Sequence, residues 1–327
     1  LDSVQRDAPE YLKKHLRIRL SHSQGRSQKM NDSLQKQEMS FQKTVNRFIG
    51  YGITFSLAYS FFAPQFAFFI LLPALLWGIS EPLQISLKCF FYDEEKQISL
   101  FESFVLVGLF ASLYVIYSML LASTGITTLY YGAEAWTNIS VFAVVISAPI
   151  MEELVFRGVG IGILRKYGNG FAVLTTSLLF ALMHVGVRVI IVMPSALMLG
   201  IIMVLTKNIL FSVLLHMMIN GWVLSWSSSN VFIQLFSKEP IVTPWVNVPV
   251  TLAINVVLVA LALMILWKRP FFVKLLYDCN PKNAITAINC NKGTYQEFFN
   301  LKAVRWFLIG AIAMSIYNLV RAILVLI

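Results

Sequence analysis

"PIMEELVFRG", residues 149–158, lies inside an apolar run that extends from about 138 to 163. Two adjacent carboxylates and an arginine are out of place there, because a charge at the centre of a bilayer costs roughly 2.5–3.5 kcal/mol even on insertion scales. On a helix Glu153 and Arg157 are four residues apart and share a face, so an intrahelical ion pair can offset part of that cost. Glu152 points about 100° away and lacks that partner, which leaves it free for other work. Ionisable residues inside a membrane segment mark a candidate functional site. The structural alternative is that all three merely lock helices together.

The rest of the chain supports a membrane setting. Of its 327 residues 57% are hydrophobic and 13% charged, and the mean hydropathy is +0.72. An ordinary soluble domain carries about 25% charge. The formal net charge of +10 is therefore no nucleic-acid signal in the first instance, since ten of the 26 Lys and Arg fall in residues 1–47. That segment is polar, rich in Ser and Gln, and reads as a basic cytoplasmic tail able to touch anionic lipid. The three cysteines, Cys89, Cys279 and Cys290, form no CxxC pair, so neither a disulfide framework nor a zinc cluster is expected from them. The first long apolar run begins only near Phe48, which does not fit a cleavable signal peptide.

A helical span needs about 17–25 apolar residues. Such stretches occur at 101–123, 138–163, 170–187, 189–206, 208–226, 246–267 and 305–327. Residues 48–79 are too long for one upright helix and short for two, with Pro64 near the centre. Lys and Arg concentrate on the cytoplasmic side of membranes. With 48–79 as a tight helical hairpin and the tail inside, 22 of the cations fall inside and two, Arg188 and Lys238, outside; with a single span the split is 12 and 12. The hairpin reading wins. The expected fold is an all-α polytopic bundle of about eight to nine transmembrane helices, and the expected location is the cell membrane. Four regions follow: a basic tail (1–47), N-terminal membrane helices (48–137), a core carrying the polar groups (138–226), and C-terminal membrane helices with a basic loop at 268–304 (227–327).

Two more polar pairs sit at the same apolar depth. "FALMH" places Phe180 and His184 four apart, and "HMMIN" places His216 and Asn220 four apart two helices later. A lone histidine in a helix is commonly a hydrogen-bonded core residue. This chain, however, has four, and the two outside the tail each occupy one of these patterns. Successive helices each offering a polar group argue for one shared site. Gly158 with Gly162, and Ala196 with Gly200, repeat the small-xxx-small spacing that lets membrane helices approach closely.

The ordered trio EExxxR, FxxxH and HxxxN over residues 138–226 resembles the CAAX protease and bacteriocin-processing (Abi) family of intramembrane endopeptidases. Each motif alone is weak; the set in this order is specific. The resemblance implies a glutamate-dependent peptidase acting on a membrane-associated protein or peptide, whether CAAX-type, bacteriocin or pheromone-like. It makes Glu152 the general base, has His184 share the attacking water, and has His216 and Asn220 donate to the oxyanion, as peptide hydrolysis requires. Glu153, Arg157 and Phe180 would then support these groups from behind. The expected partners are membrane lipid and a peptide or protein substrate, with no nucleic acid.

No cofactor is expected to be required. The competing reading is catalytic zinc, with Glu152, His184 and His216 as a two-His, one-carboxylate set, although no HExxH motif is present. A rival from another class is a non-catalytic scaffold, immunity or regulatory protein of the same fold, whose mark would be a broken motif; none is broken here. A transporter fits less well, because no inverted repeat is visible. The charge count sets His184 near the outer face, whereas members that trim prenylated proteins must reach cytoplasmic substrates.

Overall fold

The computed structural model describes residues 98–123, 141–184, 188–226, 248–278 and 292–326, with isolated positions at 42, 43, 45, 46 and 49. The hairpin expected at 48–79, most of the basic tail, and all three cysteines lie outside the described residues. Contacts divide the chain into residues 1–47 and 48–327. The helices below all belong to the second unit, and no strand occurs among the described residues.

Helix α1 spans Leu100–Ser123. A reciprocal cap starts it: the Glu102 amide donates to Ser99 Oγ at 3.2 Å, and the Ser99 amide donates to Glu102 Oε2 at 2.8 Å. Arg269 pairs with the other oxygen of Glu102 at 3.0 Å, tying this end of α1 to the corner between two later helices.

A continuous helical stretch follows, and it is not uniform. A π-helical segment, Phe142–Ser147, leads into α2, Ala148–Glu153. A second π-helical segment, Leu154–Ile161, runs into the short α3, Gly162–Leu164, and a 3₁₀ turn, Arg165–Tyr167. The expected single span at 138–163 is therefore interrupted twice. Pro149, which has no amide proton to give to the preceding turn, is a physical reason for a disturbed register here. Gly168, at φ 121°, turns the chain into α4, Asn169–Met183. Only glycine adopts that conformation readily.

Helix α5 spans Arg188–Thr206, and α6, Ile209–Trp226, starts on Asn208, whose Oδ1 accepts the Leu210 amide at 2.9 Å. Then come α7 (Val248–Leu266), α8 (Pro270–Asp278), α9 (Lys292–Asn300) and α10 (Lys302–Leu326). The basic segment 268–304, expected as a loop, thus contains two short helices. Its Phe, Leu and Tyr residues alternate with charges, a pattern that forms amphipathic helices rather than spans.

Among the described residues three helices, α1, α5 and α7, are long and apolar enough to cross a membrane, and α9 with α10, bent by 74°, would make a fourth. Helix α4 has 15 residues and reaches only about 22 Å, less than the roughly 30 Å of a hydrocarbon core. The apolar core joins α1, α5, α6, α7 and α8 through Leu106, Phe110, Leu199, Leu215, Leu266 and Phe272. Helices α4 and α5 approach closely at Gly200, where a Cβ would stand 2.9 Å from Val173 Cγ1. Gly162 does not repeat this: a Cβ there would meet nothing within 4 Å.

Candidate active site

The site is built where α2 and its π-helical flanks meet α4, α5 and α6. Arg157 is fully buried, as is Glu153. Arg157 Nη1 donates to Glu153 Oε1 at 2.9 Å, so the ion pair expected from the four-residue spacing is present. The guanidinium does more than pair. Its Nη2 donates to the carbonyl of Ala196 on α5 at 2.9 Å, and its carbon lies 4.5 Å from the centre of the Phe180 ring on α4. One arginine thereby touches three helices, which offsets burial of its charge with hydrogen bonds and a cation–π contact.

Glu153 has a second partner that no local spacing announces. His216 Nδ1 lies 2.9 Å from Glu153 Oε1. A carboxylate accepts only, so Nδ1 carries the proton and donates. That fixes the ring and turns Nε2 toward Glu152, whose Oε2 is 3.6 Å away. Ser212, one turn earlier on α6, sits beside the same Glu153 carboxylate.

The two adjacent glutamates are thus divided by environment. Glu153 is enclosed and engaged by Arg157 and His216. Glu152 is 24% exposed. Of the two carboxylates, Glu152 is the accessible one, and it also stands near His216.

His184 ends α4. Its Nδ1 is 3.0 Å from the carbonyl of Phe180, so Nδ1–H donates and, in the neutral ring, Nε2 keeps its lone pair. Glu152 and His216 both lie within electrostatic reach of this ring. Phe180 sits between the groups: its ring centre is 4.8 Å from that of His184, 5.7 Å from that of His216 and 5.1 Å from that of Phe156. Its ring thus contacts both imidazoles.

Asn220 is placed differently. Its Nδ2 donates to the carbonyl of Val144 in the first π-helical segment at 2.9 Å. Glu152, Glu153, Arg157, Phe180, His184 and His216 form one contact network, while Asn220 makes this bond one turn further along α6.

The zinc reading asks for Glu152, His184 and His216 in one ligand set. Among the described residues no three His, Cys, Asp or Glu side chains are gathered closely enough to hold a metal ion. Residues that motif spacing did not single out also take part. Ser177 on α4 donates to the Ala196 carbonyl that Arg157 uses, at 2.9 Å. Its only mark in the sequence is a hydroxyl in an apolar helix, which is common. A separate cavity of about 710 Å³ lies between α1, α6 and α7, lined by Tyr114, Met218, Trp222 and Asn255 among others. It contains none of the groups in the contact network.

No curated protein and no solved structure matches this chain. One family model does: residues 134–222, the stretch that carries all three motifs and the whole network above, match the family described as type II CAAX prenyl endopeptidase Rce1-like, which bears out the CAAX-protease resemblance of this segment.

Proposed function

We propose that this protein is an integral membrane endopeptidase of the CAAX type, hydrolysing a peptide bond of a membrane-associated protein or peptide with a water activated by Glu152. The observation that carries the reading is the division of labour between the two glutamates: Glu153 is buried on Arg157 and His216, while Glu152 stands partly exposed with His216 Nε2 at 3.6 Å.

The chemistry runs through four groups. Glu152 takes a proton from water, and the resulting hydroxide adds to the scissile carbonyl carbon. His184, with Nε2 left as its basic nitrogen, accepts a hydrogen bond from the same water and positions it. Negative charge develops on the carbonyl oxygen, and donors already fixed in place stabilise it most effectively. His216, when protonated at Nε2, and the second amide proton of Asn220 are the donors assigned here. As the C–N bond breaks, the proton held by Glu152 passes to the leaving amine, and the new carboxylate departs.

Glu152→Gln keeps size and removes the base. Cleavage of a membrane peptide should fall to background, with elution and melting in detergent unchanged. His184→Ala should do the same, whereas His216→Ala should lower kcat more than KM. Full turnover by a correctly folded Glu152→Gln protein would sink the assignment of Glu152 as the base, and absence of cleavage by the parent protein would favour the non-catalytic scaffold.

A further inference from the structure

Among the described residues, the carbonyls of Ile190 and Val144 each lose a helical partner to a proline and receive a side-chain donor from a neighbouring helix. In α5 the nitrogen of Pro194 should face the carbonyl of Ile190 four residues earlier, but it has no proton. The hydroxyl of Tyr117 on α1 donates to Ile190 O instead, at 3.0 Å.

The second case lies at the site. In the first π-helical segment the register runs to the fifth residue back: the Ala148 amide donates to Ala143 O. The next carbonyl in that register, Val144 O, would be served by residue 149, which is Pro149. An unpaired carbonyl in this setting is unfavourable, and Asn220 Nδ2 fills the place at 2.9 Å. A carbonyl only accepts, so the amide nitrogen rather than the oxygen of Asn220 must face it.

We infer that Asn220 is a positioning residue whose amide stands in for the missing N–H of Pro149, and so sets where the Pro149–Glu153 turn places the Glu152 carboxylate. Helix α6 then grips this stretch twice, one turn apart: His216 on Glu153 behind Glu152, and Asn220 on Val144 ahead of Pro149. The two bonds bracket Glu152 and fix its distance to His216. This role belongs to one amide proton of Asn220; the other is the one assigned to the oxyanion. Only the kinetic arm of the test rests on the peptidase reading.

Pro149→Ala returns an N–H to the backbone, which makes the inference testable as a cycle in the full-length protein. The variants are Asn220→Ala, Pro149→Ala and the double. Asn220→Ala should lower the melting midpoint by roughly 2–6 °C with Pro149 present, as expected for one buried carbonyl left unpaired, and by less than about a third of that in the Pro149→Ala background. In the kinetic arm Asn220→Ala should lower kcat about 10- to 100-fold with KM within about twofold, the loss expected from a catalytic group displaced by about an ångström. The double variant should regain at least about threefold in kcat over Asn220→Ala, keeping only the loss that belongs to the oxyanion proton. Equal loss of melting midpoint in both backgrounds would overturn the inference, whether or not the protein cleaves peptides. Coupled stability with kcat left unrescued in the double variant would also overturn it, because Asn220 would then act on the rate through its oxyanion proton alone. Coupled stability in a protein with no peptidase activity would retain the Asn220–Pro149 relation and discard the peptidase reading.

Discussion

Glu153 and His216, 63 residues apart in the chain, share a hydrogen bond of 2.9 Å in a buried setting. The bond has a direction. The carboxylate can only accept, so the imidazole presents Nδ1–H to Glu153 and its other nitrogen to Glu152. Because Arg157 grips the same oxygen of Glu153 and also the Ala196 carbonyl, the orientation of His216 depends on a chain of contacts that crosses α2, α5 and α6.

Breaking that chain at one link should be expensive. Arg157→Met leaves Glu153 without its strong partner, and removal of one member of a buried ion pair typically costs about 3–5 kcal/mol. The detergent melting midpoint should drop sharply for Arg157→Met and for Glu153→Gln. Glu153→Leu combined with Arg157→Met should lose less than the sum of the two, since no lone charge is left behind. Single variants melting within about a degree of the parent would show that the network does not hold these helices.

Gly200 and Gly162, one from each small-residue spacing, should respond in opposite directions. A methyl group at Gly200 would press on Val173 Cγ1 at 2.9 Å and Ser177 Oγ at 3.4 Å, so Gly200→Ala should destabilise by about 1–3 kcal/mol. Val173→Ala in the same chain should relieve part of this. Gly162→Ala meets nothing within 4 Å and should be neutral or stabilising by up to about 1 kcal/mol. Equal melting shifts for the two would contradict the packing described.

Metal dependence separates the two chemical readings. A glutamate-and-water peptidase should keep its activity through prolonged chelation and purify without stoichiometric zinc. The zinc reading expects loss of activity on chelation, restoration by zinc specifically, and release of the metal by His216→Ala. Metal content measured beside activity distinguishes them.

Topology is testable with the native thiols. If 48–79 is a helical hairpin and the tail is inside, Cys89, Cys279 and Cys290 face the reducing cytoplasm. A membrane-impermeant thiol reagent should then leave the protein unlabelled in intact cells and label it after permeabilisation, with denatured protein as the control for buried thiols. Labelling of intact cells would turn the assignment over, move His184 to the cytoplasmic side, and favour a CAAX-type substrate.

Much of this protein is determined by order along the chain. Long apolar runs specify membrane helices because the hydrocarbon core demands them. The Glu153–Arg157 pair follows from counting four residues, since helix geometry alone brings those side chains together. The same counting isolates Glu152 and marks His184, His216 and Asn220 as unusual. Contacts between helices obey no such count. That His216 meets Glu153, that Arg157 reaches Ala196, and that Gly200 rather than Gly162 faces a neighbour depend on how each helix is rotated and how deep it sits, which packing along its whole length decides. The π-helical register adds to this, because its wider turn rotates the following residues away from the faces that a regular α-helix would give them. Pro149 announces the missing proton in the sequence, but only the tertiary structure, by laying α6 against the first π-helical segment, decides that Asn220 supplies it.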